Sequence, residues 1–111
     1  HAHSATCALL LVAAPLAAQL RGHVTSDDHA PIHRALLALR RDADRDTTLV
    51  ATASTDSLGR FQLRGIASGR YVLRVRALGW TARELPVVLP PGVPTLDLGS
   101  IVLARGRAAR L

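Results

Sequence analysis

The chain has 111 residues, 49% of them hydrophobic but only 3% aromatic, and a formal net charge of +6. This is enough for one domain around one core, and that core must be built from Leu, Val, Ile and Ala. All 14 basic residues are arginine; they are spread along strand-like segments rather than clustered with aromatic rings, which argues against a nucleic-acid partner despite the high isoelectric point.

Residues 5–18 (ATCALLLVAAPLAA) form an apolar run closed by small residues. A spanning helix needs about 20 apolar residues, and Pro15 interrupts this run, so it is too short to cross a membrane. It matches the apolar and cleavage regions of a secretory signal peptide, expected as a helix over residues 1–18 with cleavage after Ala18 and Gln19 as the new N-terminus. His1 and His3 stand where a basic leader is usual, and no initiating Met is present, so the first few residues are expected to be missing. Cys7 precedes the apolar run instead of following it, which excludes a lipoprotein pattern and leaves the mature chain without a disulfide.

From Gln19 onward the hydrophobic period is two. Leu20, Gly22 and Val24 alternate with Arg21, His23 and Thr25 as a first strand, and the polar residues 26–31 make a turn. Ala35, Leu37 and Leu39 mark a second strand, followed by the polar loop DADRDT and a β-branched third strand at 48–55. Asp56-Ser57-Leu58-Gly59 reads as a short hairpin connection into a fourth strand, 60–64, with Phe61 and Leu63 inward. Residues 65–69 form the next turn, with Ile66 plugging the core. A fifth strand, 70–77, turns Tyr71, Leu73 and Val75 one way and Arg70, Val72, Arg74 and Arg76 the other. Leu85, Val87 and Leu89 define a sixth strand, and Leu96, Leu98, Ile101 and Leu103 a seventh with a bulge at Gly99. Seven short strands at this spacing predict an all-β, antiparallel β-sandwich over residues 19–104, with 105–111 the start of a linker.

Gly22-His23-Val24-Thr25, Pro31-Ile32, Ala35-Leu36-Leu37, Thr55-Asp56 with Gly59 and Phe61, Gly69 with Tyr71 and Leu73, and Gly79-Trp80 follow in an order that resembles the carboxypeptidase regulatory-like domain. The resemblance runs from Gln19 to about Leu103 and implies a transthyretin-like, Ig-like sandwich without catalytic activity. It departs from the family at His29 and Arg34, where glycine is usual, so a differently shaped first hairpin is expected. Trp80 replaces the usual Tyr or Phe after glycine. Such domains occur behind zinc carboxypeptidase domains, in cell-surface proteins, and as N-terminal extensions of TonB-dependent outer-membrane receptors. A signal segment directly before Gln19 favours the receptor arrangement, with a plug and barrel expected downstream of the tail ARGRAARL.

The sequence carries few chemistry-bearing patterns. There is no His-Glu-x-x-His and no His-x-x-Glu, and the serine of Gly65-Ile66-Ala67-Ser68-Gly69 stands one place too late for a nucleophile elbow. Glu84 is the only glutamate, and no carboxylate pair suggests acid–base work. The Asp42–Asp46 stretch has a calcium loop's early spacing, but Thr47 replaces its glycine, Ala53 its closing glutamate, and Arg45 sits among the would-be ligands; a solvated loop is expected. His23, His29 and His33 are expected as surface turn residues rather than a metal site, and no cofactor is implied.

Two surface features stand out as possible ligand or partner contacts. Trp80, beside Gly79 at a strand end, is the one ring that is a candidate for exposure and sugar stacking, with packing its expected role, whereas Phe61 and Tyr71 follow the inward phase. Arg60, Arg64, Arg74 and Arg76 fall on the outward phase of strands expected to be neighbours and would form a cationic stripe facing lipopolysaccharide or an acidic partner. The expectation is an exported, non-enzymatic interaction module, periplasmic or extracellular. Its partners would be protein or surface glycan, with the membrane reached only through a downstream domain. A carbohydrate-binding surface module and an accessory domain of an exported hydrolase are the alternatives.

Overall fold

The computed structural model describes residues 17–42 and 48–106. The expected signal helix up to residue 16, the acidic loop from Ala43 to Thr47 and the last five residues of the expected linker lie outside the described residues.

Seven strands follow in order: β1 (Ala17–Ser26), β2 (Leu36–Arg41), β3 (Leu49–Ser54), β4 (Arg60–Ala67), β5 (Gly69–Arg76), β6 (Arg83–Leu89) and β7 (Thr95–Leu103). They form a three-stranded sheet ordered β4-β1-β7 and a four-stranded sheet ordered β3-β2-β5-β6. Strand alternation drives this: one phase of each strand is apolar, and the two apolar faces bury each other. Leu20, Val24, Leu63 and Ile66 from the first sheet meet Leu37, Leu39, Leu73 and Val75 from the second, all essentially buried. Each such side chain contributes about 1.5–3 kcal/mol. Phe61 and Tyr71 also lie in this core, and the Tyr71 hydroxyl donates to the Ala67 carbonyl at 2.6 Å.

β1 begins two residues before the expected mature terminus: Ala17 and Ala18 pair with Ala67 and Ile66, and Ala18 is buried. β1 and β7 run parallel, in contrast to the antiparallel arrangement of every other pair. A parallel pair places the start of β1 and the end of β7 at opposite ends of the sandwich.

Two bulges keep the apolar phase correct along β1. Between Leu20↔Leu63 and Ala18↔Ile66, β4 carries an extra residue, and Gly65 takes a φ of 72° there. That slip turns Ile66 inward three positions after Leu63, as the sequence implied. Between Arg21↔Asp97 and His23↔Ser100, β7 carries the extra residue, with Gly99 at φ 70°. The expected bulge at Gly99 is therefore present, and Ile101 rejoins the core.

The 56–59 segment is not a hairpin. β3 pairs only with β2 and β4 only with β1, so this turn crosses from one sheet to the other. Pattern and turn chemistry predict a tight reversal either way; which partner each strand finds depends on the faces they bury. The crossing is pinned at both ends. The Gly59 carbonyl accepts from Val24 N at 2.7 Å, and a Cβ at Gly59 would stand 2.6 Å from the Val24 carbonyl oxygen, so only glycine fits. The buried Thr55 hydroxyl accepts from Ala35 N at 2.9 Å and donates to the Ile32 carbonyl at 2.6 Å. Thr55→Val keeps the shape but leaves a buried donor and acceptor unpaired; the expected loss is about 2–4 kcal/mol in denaturant unfolding.

The β1–β2 connection corrects another expectation. His29 and Arg34 adopt φ of 68° and 63°, the left-handed conformation that glycine favours. The connection therefore keeps a glycine-like path although neither residue is glycine. A β-carbon in that region costs on the order of 1–2 kcal/mol, offset in part by the lower unfolded-state entropy of a non-glycine residue. His29→Gly and Arg34→Gly should each raise the melting temperature, by up to about 1 kcal/mol in stability; an unchanged or lowered melting temperature for both would contradict the strain.

Candidate functional site

The four arginines expected to form one stripe do not lie together. Arg60 and Arg64 stand on β4, in the three-stranded sheet, whereas Arg74 and Arg76 stand on β5, in the four-stranded sheet. The outer faces of the two sheets look in opposite directions, so the stripe is split across the sandwich.

On the three-stranded sheet the arginines are matched. Arg60 Nε lies 3.1 Å from an Asp56 carboxylate oxygen, and Arg21 Nε lies 3.6 Å from Asp97. Arg64 donates twice to the Gln62 side-chain oxygen Oε1, at 3.1 and 2.9 Å. A groove of about 620 Å³ on this side is lined by Arg21, His23, Asp56, Arg60, Gln62 and Asp97, a mixed polar surface.

The four-stranded sheet differs. Its outward phase holds Arg40 on β2 and Arg70, Arg74 and Arg76 on β5. Cross-strand register sets Arg76 beside Leu36, Arg74 beside Ala38, and Arg40 beside Val72. Glu84, opposite Arg74 on β6, is the one acid within the strands of this face; it accepts from Arg74 at 3.0 Å. Arg40, Arg70 and Arg76 form no ion pair among the described residues. A groove of about 460 Å³ runs here, bordered by Arg40, Arg74 and Arg76 over Leu36, Leu37, Ala38, Thr52, Ala53 and Ser54. Of the expected contact residues, this surface keeps Arg74 and Arg76 and adds Arg40 and Arg70. The alternation already pointed Arg70 outward; that Arg40 is its near neighbour follows only from the β2–β5 pairing.

Trp80 is half-buried at the end of the β5–β6 loop and packs against the core. Arg105 lies over its ring, 4.8 Å from the centroid, a cation–π contact that covers one face. The chain after β7 is held here by hydrogen bonds from Thr81 N to the Ala104 carbonyl at 2.8 Å and from Gly106 N to the Gly79 carbonyl at 2.9 Å. Arg105 and Gly106, expected as linker, thus pack onto the fold. With Phe61 and Tyr71 in the core, two exposed rings do not share a face. The fully exposed apolar side chain nearby is Leu78, at 101% relative exposure, beside Trp80 in the same loop.

Other sequence candidates stay apart. Among the described residues no three of His, Cys, Asp and Glu gather as a metal site would require, and His23, His29 and His33 form no such group. Gly22, Pro31, Gly59, Gly69 and Gly79 serve the backbone: Gly22, for example, leaves room for the Phe61 ring and the Gly99 carbonyl, which a Cβ would meet at 3.0 and 2.8 Å.

Asp56 closes the sheet-crossing turn. Its Oδ1 accepts from the Leu58 and Arg60 amides, each at 2.9 Å. The Arg60 amide, above all, holds its carboxyl below the ordinary range. Asp28 is lowered likewise, chiefly by the Ser26 hydroxyl that donates to it. A carboxyl lowered on folding stabilises the fold fully above its unfolded pKa, and that stability is lost as pH falls through the folded one. The melting temperature should therefore drop on acidification below the ordinary carboxylate range, and Asp56→Asn should flatten that drop; an identical acid profile for both proteins would refute the contribution.

These features define an all-β, Ig-like and transthyretin-like sandwich of seven strands. The chain belongs to the carboxypeptidase regulatory-like domain family, whose match covers residues 19–104. No curated protein matches the chain. Among solved structures, the major pilin subunit BcpA of Bacillus cereus superposes with a TM-score of 0.68 at 14% identity, over 83% of this chain and 31% of that one. The pilus 2b backbone protein of group B streptococcus gives 0.63 at 14% identity, over 82% and 42%. Hydroxyquinol 1,2-dioxygenase of Pseudomonas putida DLL-E4 gives 0.65 at 10% identity, over 86% and 58%. The chain thus spans less than two thirds of each of these proteins, and the likeness is one of fold.

Proposed function

We propose that this protein is a non-catalytic, exported interaction module that serves as the N-terminal periplasmic extension of a TonB-dependent outer-membrane receptor. The observation that carries the reading is arrangement: a signal-type apolar segment at residues 5–18 stands directly before a domain of the carboxypeptidase regulatory-like family at 19–104. Regulatory rather than catalytic work is supported by how the domain uses its chemistry-bearing residues. Thr55 and Asp56 are committed to the sheet crossing, Tyr71 to the core, and Trp80 to packing beneath Arg105. The outer faces of the sheets remain for contact, and the pilin-like neighbours support a surface or extracellular setting for such a sandwich.

Two measurements test the reading separately. Alkaline phosphatase fused after residue 104 should be active in a Gram-negative host and lose activity when residues 5–18 are deleted; an inactive fusion, or one indifferent to the deletion, would remove export. Reading the coding DNA past Leu111 tests the context. A plug followed by alternating barrel strands supports the receptor, whereas a metal-binding catalytic domain makes the module a hydrolase accessory, and a stop codon ends the receptor reading.

A further inference from the structure

The excess positive charge of this chain is not spread evenly. The three-stranded sheet pairs its outward arginines with Asp56, Asp97 and Gln62. The four-stranded sheet sets Arg40, Arg70, Arg74 and Arg76 against Glu84 alone within its strands. Asp42, at the end of β2, sits at the rim, its amide bonded to the Arg70 carbonyl at 3.0 Å.

Unmatched arginines on one flat face repel one another and gain from an anion that bridges them. Same-face neighbours along a strand stand about 6.6–6.8 Å apart, so the row from Arg70 to Arg76 spans about 20 Å, with Arg40 one strand away at about 4.8 Å. This is a linear array, and it suits a linear ligand with repeating charge. The groove between the arginines is lined by Leu36, Leu37, Ala38 and Ala53, with Thr52 and Ser54 supplying hydroxyls and no aromatic ring among its lining residues. A protein interface draws its affinity above all from central, desolvated aromatic anchors, which this groove lacks; its exposed large apolar side chain, Leu36, lies at the Arg76 end. A neutral sugar chain would want a ring to stack on, which it also lacks. A chain carrying both hydroxyls and carboxylates matches what the groove offers: guanidinium forks for carboxylates and small polar residues for hydroxyls.

We propose that the outer face of the β3-β2-β5-β6 sheet binds a linear acidic polysaccharide, a polyuronate, with Arg40, Arg74 and Arg76 as its carboxylate contacts. The inference deepens the reading as an exported interaction module and rests on it for access to surface glycans. Binding in solution and export of the phosphatase fusion fail independently, so either can be lost alone.

The test is fluorescence anisotropy of the full chain with labelled oligogalacturonate, alongside neutral dextran and a poly-glutamate peptide of matched length. Oligogalacturonate should bind at low salt, weaken steeply as salt rises, and outcompete both controls. Arg76→Glu should weaken binding by about tenfold or more, the loss of a charge-assisted contact. Arg76→Gln should weaken it less, and Arg40→Glu with Arg76→Glu should abolish it. Arg64→Glu, the same charge change on the opposite sheet, should leave binding unchanged. Melting curves of each variant establish that the fold is retained. The proposal is overturned by no binding at low salt, by equal loss in Arg64→Glu and Arg76→Glu (net charge alone), or by poly-glutamate binding as tightly as the sugar acid, which would make the partner an acidic protein.

Discussion

Everything in this sandwich depends on the crossing between β3 and β4. The chain leaves one sheet and joins the other within residues 55–59, and that step is fixed by backbone groups that have nowhere else to bond. Thr55 holds the segment before β2 through Ala35 and Ile32, and Gly59 reaches Val24 in the centre of the opposing sheet. Ile32 in turn bonds back to the Val24 carbonyl at 2.9 Å. The three segments form one buried knot in which an unpaired amide or carbonyl would cost as much as a core side chain. With no disulfide in the described fold, this knot and the apolar faces set the distance and orientation of the two sheets.

The topology then decides what each outer face offers. β1 sits between β4 and β7, so the surface of that sheet mixes Arg21, Arg60 and Arg64 with Asp56 and Asp97; Arg21 finds Asp97 across strands, and Arg60 finds Asp56 four residues back in the turn. β2 and β5 sit side by side in the other sheet, and both present arginine on their outward phase, with Leu36, Ala38 and Val72 beside them. The same number of turns with a different strand order would have mixed the two sets. The charge asymmetry is thus a product of pairing and not of composition.

The parallel β1–β7 pair has a further consequence. The described part of the chain starts at Ala17 at one end and ends beside Trp80 at the other, where Gly79 and Thr81 bond to Gly106 and Ala104.

Much of this was legible in the residues. Period-two alternation gave all seven strands and their inward phases, because burying one face of a pleated sheet forces that pattern on the chain. Glycine at 99 signalled a bulge, since a residue inserted into a ladder needs an unusual φ. Other features lay beyond the local pattern. His29 and Arg34 take glycine-like φ because hydrogen bonds around Ser26, Ala30 and Thr55 dictate the path, and side-chain identity does not announce such strain. The 56–59 turn looks like a hairpin in sequence because a tight reversal has the same residues whether its strands pair or part. The proposed cationic face needed the most context. By itself the sequence determined which arginines face outward, for that is local stereochemistry; which of them share a surface was decided only by strand order, a long-range consequence of how two apolar faces pack.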